Sequence, residues 1–235
     1  MSINIIMEGA RSEGRQVLTE DESKQILALA GIPSTPCRVV ESPGEAARAA
    51  GEMGFPVALK VRSTIITHKS DVGGVYLNLD CPEQVSRAFN DMREKVRGLD
   101  PGAGATVQPM APPGVEVIIG MTTDSHFGPV MAFGLGGAAV EVLGDLSFRM
   151  APITTADALE MIHSIKGIAL LKGYRGRPGA DLTGLADMLA KVSQLVTSYP
   201  GIREIDLNPV IAHPGGSLAA DARIVISEYR SQTLR

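Results

Sequence analysis

The sequence predicts an α+β chain of two lobes, and three observations carry that expectation. Strand-type runs pair as hairpins as often as they alternate with helices, which argues against a doubly wound sheet. The length, 235 residues, suits one good-sized core or two small ones. At Ala111-Pro-Pro-Gly114, consecutive prolines interrupt any ladder and mark a linker. The expected division is an N-terminal extension over 1–18, a first lobe over 19–110 and a second over 111–235.

Along the chain, Thr19 followed by Glu22 forms a capping-box pattern that opens a helix to about Ala30, with Gly31 beyond its end. Ser42, Pro43 and Glu45 repeat the signal for a helix ending near Gly54. Pro56–Arg62 alternates as a strand, with Val57, Leu59 and Val61 on one face and Ala58, Lys60 and Arg62 on the other. Val75–Leu79 is a second strand, and Pro82–Arg97 an amphipathic helix burying Val85, Phe89, Met92 and Val96. Ala105–Met110, Val115–Met121 and Val130–Phe133 are strands, and Thr155–Ile165 and Asp181–Tyr199 are helices. Two closing strands, Arg203–Ala212 and Ser217–Ser227, flank a Pro-Gly-Gly turn.

Composition narrows the function classes. Acidic and basic residues are interleaved and the net charge is -4, so a nucleic-acid partner, which needs a concentrated basic face, is not expected. No apolar stretch is long enough to span a bilayer, since Pro129–Val140 is short and glycine-rich, so no membrane partner is expected. Met1–Arg15 contains Glu8 and lacks the apolar run of a signal peptide. Cys37 and Cys81 have no metal-ligand or redox spacing and read as reduced thiols, as in a cytoplasmic protein.

Three groups of residues can carry chemistry. Lys60, in mid-strand, either faces solvent or places a point charge on a polyphosphate. The loop Thr67-His-Lys-Ser-Asp-Val-Gly-Gly74 offers an imidazole, a cation, a carboxylate and two glycines that allow close approach to an anion. There His68 is either a surface residue or a nucleophile, because a neutral imidazole is competent near neutral pH. In Glu204-Ile-Asp206-Leu-Asn208-Pro209, alternation puts Glu204, Asp206 and Asn208 on one face. A turn centred on Pro214-Gly215 sets Asn208 opposite Asp221, a pair suited to Mg²⁺, which takes few protein ligands. The same residues also suit the polar outer face of a hairpin. His126, His163 and His213 have no partner pattern, and Gly134-Leu-Gly136-Gly137 lacks dinucleotide-fingerprint spacing.

Taken together these motifs resemble the β subunit of ADP-forming acyl-CoA (acetate–CoA) synthetases and, more distantly, that of succinyl-CoA synthetase. The likeness runs from about Thr19 to Ile226. It rests on Phe55-Pro-Val-Ala-Leu-Lys60, Ile66-Thr-His-Lys-Ser-Asp-Val-Gly-Gly74 and Phe133-Gly-Leu-Gly-Gly137. It continues in Val140-Glu-Val, Ser147-Phe-Arg-Met-Ala-Pro152, Gly173-Tyr-Arg-Gly-Arg-Pro178, Ile205-Asp-Leu-Asn-Pro209 and Asp221-Ala-Arg. The resemblance implies an ATP-grasp fold, two α+β lobes clamping a nucleotide, with ATP/ADP and Mg²⁺ as cofactors. By position, Lys60 and Lys69 would contact phosphates, Gln108 and Ala111 would line the adenine, and Glu116 would sit at the nucleotide. Asn208 and Asp221 match Mg²⁺ ligands, Asp206 an acidic position near the phosphohistidine, and His68 a relay histidine. The family reaction is acyl-CoA + ADP + phosphate ⇌ carboxylate + CoA + ATP, with CoA held by a separate α subunit. No CoA-binding fold is evident here, so the chain should need an α partner or be one piece of a fused protein. Two other classes are an independent ATP-grasp ligase without a relay and a non-catalytic nucleotide-binding regulator.

Overall fold

The structure is a computed structural model that describes residues 2–66, 68–137, 144–176 and 178–228. Thr67, Val140-Glu-Val and Arg177 of the motifs above, and Glu141 within them, lie outside the described residues. In chain order the elements begin α1 (Ile3–Ser12), α2 (Glu20–Leu29), β1 (Arg38–Val40), α3 (Pro43–Met53), β2 (Val57–Arg62) and β3 (Val75–Leu79). They continue α4 (Pro82–Val96), β4 (Gly104–Pro109), β5 (Val115–Asp124), β6 (Gly128–Leu135) and β7 (Leu146–Met150). The last are α5 (Thr155–Ser164), α6 (Ile168–Leu171), α7 (Leu182–Ser198), β8 (Ile202–His213), β9 (Gly216–Ala219) and β10 (Arg223–Ile226).

These residues fall into two compact units. One comprises Thr19–Lys24 and Thr35–Ala111; the other takes the described residues of Met1–Leu18, Gln25–Ser34 and Pro112–Arg235. The first eighteen residues, which the sequence leaves as an extension, therefore group with the C-terminal part of the chain.

The smaller unit is a four-stranded antiparallel sheet in the order β1-β4-β2-β3, packed against α3 and α4. The helices form where capping and periodicity agree. The Ser42 hydroxyl accepts from the Glu45 amide at 3.2 Å, and α4 buries Val85, Phe89, Met92 and Val96 along one stripe. Those side chains meet Val57, Leu59 and Val61 of β2 in one apolar core. The strand departs from expectation on its other face, which is not solvated: Val57 through Val61 are all buried, Lys60 included. The cause is the start of α2, whose first-turn Glu20 meets Lys60 from that side.

The larger unit holds a sheet in the order β10-β8-β5-β6-β7, with β9 also paired to β8. Val117, Ile119, Phe133 and Leu207 of this sheet share a core with Met161, Leu189 and Val192 of α5 and α7. Thr154 and Asp157 form a reciprocal capping box at α5, and Asp181 caps α7. Four elements go beyond the sequence reading, the short strand β1 among them. In α1, Ile3, Ile6, Met7 and Ala10 make a buried stripe with helical spacing. β7 is an edge strand whose Phe148 and Met150 are exposed, and α6 is a single four-residue turn. The expected closing strand Ser217–Ser227 is interrupted between Ala219 and Arg223 and becomes β9 and β10. At its outer edge β10 is met by the segment after α1. Val17 bridges Val225, the Leu18 amide donates to the Ile224 carbonyl at 3.0 Å, and the Ile226 amide to the Gln16 carbonyl at 2.8 Å.

Candidate functional site

In the smaller unit the chemistry gathers around Glu20. Its Oε1 accepts from Lys60 Nζ at 2.9 Å and lies 2.9 Å from Lys24 Nζ, while its Oε2 accepts from Lys69 Nζ at 2.5 Å. The Glu20 side chain is only 2% exposed and that of Lys60 6%, so these are interior ion pairs rather than surface ones. Burial alone would raise the Glu20 carboxyl. The ammonium groups of Lys60, Lys69 and Lys24 outweigh that and hold it well below the usual carboxylate range. The opposite balance governs Lys24: burial lowers its ammonium more than the Glu20 charge raises it. Lys24 also donates to Thr35 Oγ1 at 2.8 Å and to the Gln108 amide oxygen at 2.5 Å. Gln108, an expected adenine contact, is thus buried at the end of the same network, and Ala111 follows it just past β4.

The loop after β2 is pinned at both ends. Ser63 Oγ accepts from the Ile65 and Ile66 amides and donates to Asp100 at 2.7 Å. At the far end the Gly74 amide donates to the Lys69 carbonyl and the Val61 amide to the Gly74 carbonyl, both at 2.8 Å. Glycine is required there: a Cβ on Gly74 would lie 2.6 Å from Val61 Cγ1, and Gly73 sits at φ +65°. His68 is exposed on this loop, next in sequence to the anchored Lys69.

The larger unit carries the acidic candidates on the sheet face away from the α5–α7 core. Asp206 pairs across β8 and β5 with Gly120, and both line a shallow hollow of about 410 Å³ together with Ala132, Phe148 and Glu204. Glu116 is exposed at the start of β5, its carbonyl accepting from the Gly136 amide at 2.7 Å. Between the pairs Val117↔Val210 and Ile119↔Leu207, β8 spends two residues, Asn208 and Pro209, where β5 spends one. The bulge suits Pro209, which has no N–H for the ladder, and it turns Asn208 outward. Below the bulge β8 pairs Asp206 with Arg223, and above it Val210 with Ala219. Both runs share one register, so position 208 falls opposite 221 despite the break between β9 and β10. The Ala220 amide holds the gap closed by donating to the Pro209 carbonyl at 2.9 Å. An amide oxygen and a carboxylate facing one another are a donor set that Mg²⁺ accepts. Among the described residues no three His, Cys, Asp or Glu side chains are grouped to hold a metal.

Of the other histidines, His126 is exposed in the β5–β6 turn, His163 Nδ1 lies 2.7 Å from the Leu159 carbonyl on α5, and His213 accepts from the Gly215 amide. Sequence reasoning missed Glu20 and Lys24. The signal was present, since positions 20, 24 and 27 lie on one helix stripe and Leu27 is fully buried, so charges at 20 and 24 fall on an apolar face.

The fold is that of an ATP-grasp protein. The ATP-grasp domain family model matches residues 9–226. The β subunit of ADP-forming acetate–CoA ligase I from Pyrococcus furiosus is 44% identical over 224 residues, covering 94% of this chain and 96% of that one. Acetyl-coenzyme A synthetase 1 of Candidatus Korarchaeum cryptofilum, solved with coenzyme A and Ca-AMPCP, superposes with a TM-score of 0.92 at 43% identity, covering 96% of this chain and all of that one. A further structure of that enzyme, with Mg-AMPPCP and its phosphohistidine segment pointing towards the nucleotide binding site, gives 0.84 at 41% identity, with 96% and 100% covered. The chain belongs to the family of β subunits of ADP-forming acetate–CoA ligases, within the ATP-grasp domain family. No helix among the described residues is long and apolar enough to cross a membrane.

Proposed function

We propose that this chain is the nucleotide-handling β subunit of an ADP-forming acyl-CoA synthetase and that His68 passes a phosphoryl group to and from ADP. The observation that carries this reading is the charge around Glu20. Three ammonium groups, those of Lys24, Lys60 and Lys69, gather on one carboxylate at the root of the loop that bears His68. A cluster of cations at that place suits a polyphosphate anion, and Lys60 and Lys69 are the groups that take it. A neutral His68 imidazole attacks the terminal phosphorus: an N–P bond forms as the bond to the ADP oxygen breaks, and the reverse step returns the group. The loop amides near Gly73 and Gly74 stabilise the transferring oxygens. Asn208 and Asp221 would hold Mg²⁺, which would neutralise phosphate charge when bound. Asp206 accepts a ring N–H of a phosphohistidine, Glu116 contacts the nucleotide, and Gln108 and Ala111 line the adenine. The name of the Pyrococcus furiosus relative, a β subunit, supports an α partner; in the proposed reading that partner supplies the CoA-binding fold and the acyl-CoA.

The test gives the chain ATP labelled at the γ-phosphate, with Mg²⁺. An acid-labile, base-stable label on the protein is expected, mapped to His68. Failure to take up label, with a cognate α subunit also present, would leave His68 as a phosphate contact and not a relay.

A further inference from the structure

The relay reading leaves unexplained why a wholly buried carboxylate should stand between the two lysines assigned to phosphate. Glu20 uses both of its oxygens at once. Oε1 takes Lys60 from the middle of β2, and Oε2 takes Lys69 from the loop, one residue after His68. Lys24, one turn further along α2, shares Oε1 and is itself fixed by Thr35 and Gln108. A carboxylate so held cannot turn to solvent, because its side chain is 2% exposed and each oxygen already accepts a charge-assisted hydrogen bond. The loop meanwhile has its glycine end tied to β2 through Gly74, while His68 itself is exposed. The Lys69 ammonium therefore links the stretch beside His68 to an interior point.

We infer that Glu20 is the positioning residue of the phosphoryl relay: by gripping Lys60 and Lys69 together it holds the His68 loop in register with the lysine strand. The inference rests on the reading of His68 as the phosphoryl acceptor. Glu20 touches neither nucleotide nor the reacting atoms in this scheme, and it acts through the lysines it holds. The neighbouring ion pair provides the contrast. Asp21 Oδ1 binds Arg62 Nε at 2.7 Å, tying the same helix to the same strand without engaging the loop.

The deciding measurement is hydrogen exchange on the full chain without nucleotide, followed at the amides of Gly73 and Gly74, whose hydrogen bonds report loop closure. Glu20→Gln and Lys69→Met should each speed that exchange about tenfold or more, the mark of local opening. The double variant should be no faster than the faster single one, since both remove one interaction. Asp21→Asn should leave these amides at the wild-type rate. Unchanged exchange in Glu20→Gln, or equal acceleration in Asp21→Asn, overturns the inference; if Glu20→Gln does not fold, wild-type exchange in Lys69→Met does so. In the labelling assay Glu20→Gln should slow transfer to His68 at least about tenfold with nucleotide affinity within about threefold, a rate effect without a binding effect. Glu20→Asp should recover part of the rate, and transfer at the wild-type rate in Glu20→Gln overturns the positioning role. A wild-type chain that takes no label contradicts the relay itself, and the exchange data then still decide whether Glu20 holds the loop.

Discussion

Asn208 and Asp221 stand opposite one another across a hairpin whose register does not change from Glu204↔Val225 to His213↔Gly216. The break between β9 and β10 and the bulge at Asn208-Pro209 both fall at this pair, where ladder regularity gives way to side-chain placement. Replacing Asp221 by Ala is therefore expected to leave the fold intact, as judged by circular dichroism. It should raise the Mg²⁺ concentration needed for half-maximal phosphoryl transfer and slow the transfer on the order of 100-fold, the scale of losing one electrostatic contact to a reacting group. A Mg²⁺ titration identical to wild type would show that the metal is held elsewhere.

His68→Ala should abolish the phosphohistidine label while nucleotide affinity stays within roughly tenfold, about 1.4 kcal/mol, because in the proposed relay the imidazole transfers and does not anchor. Calorimetric titration with ADP and ATP checks the second half. His126→Ala and His163→Ala should keep the label, since both rings sit on exposed positions of the larger unit.

Acid should weaken the protein through Glu20. Its folded-state carboxyl lies well below the ordinary value, with the neighbouring ammonium groups outweighing burial, so the unfolded chain binds this proton more readily. The stabilisation it contributes is complete above the unfolded value of about 4.3 and is lost as pH falls below it towards the folded value. Urea melts between neutral pH and pH ~3 should show a shallower decline for Glu20→Gln than for wild type, from a lower starting stability, because breaking a buried pair costs roughly 3–5 kcal/mol. Parallel declines would mean that other carboxylates dominate.

Cys37 should be a sluggish thiol. Burial pushes it up to about 11, with Lys24 pulling it down and Glu20 pushing it further up. Since only the thiolate reacts, alkylation by iodoacetamide at pH 8 should run about 100-fold slower than for an ordinary cysteine near 8.5. Its rate should keep climbing above pH 10; a plateau below pH 9 would contradict the environment described.

Adding CoA, ATP, Mg²⁺ and a short carboxylic acid to this chain alone should yield no thioester, and addition of a cognate α subunit should restore it. Robust thioester formation by the chain alone, followed by hydroxamate trapping, would point instead to an independent ligase.

Much of this was legible in the sequence because local signals and packing agree. The α4 stripe, the Ser42 cap and the β8–β9 register all rest on short-range rules that tertiary contacts reinforce. What escaped has a common cause. Period-two reasoning puts Lys60 on the strand's outward face and does not foresee the start of a helix forty residues earlier in the chain covering that face. Glu20 was read as part of a helix start, where acidic residues are ordinary, and its burial depends on lysines that are distant in sequence. β7 escaped because its apolar residues Phe148 and Met150 are exposed, so alternation there does not mark a buried face.

The strip from Gln16 to Leu18, laid along β10, has a consequence for solubility. Without it the outermost strand of the larger sheet would present a row of unpaired backbone groups beside Ile224 and Ile226, an invitation to pair with a neighbouring molecule. The same stretch of chain brings α1, whose Ile3, Ile6 and Met7 would otherwise leave their share of the core uncovered. Trimming the chain before Thr19 would thus create a sticky border along which shortened copies would associate edge to edge.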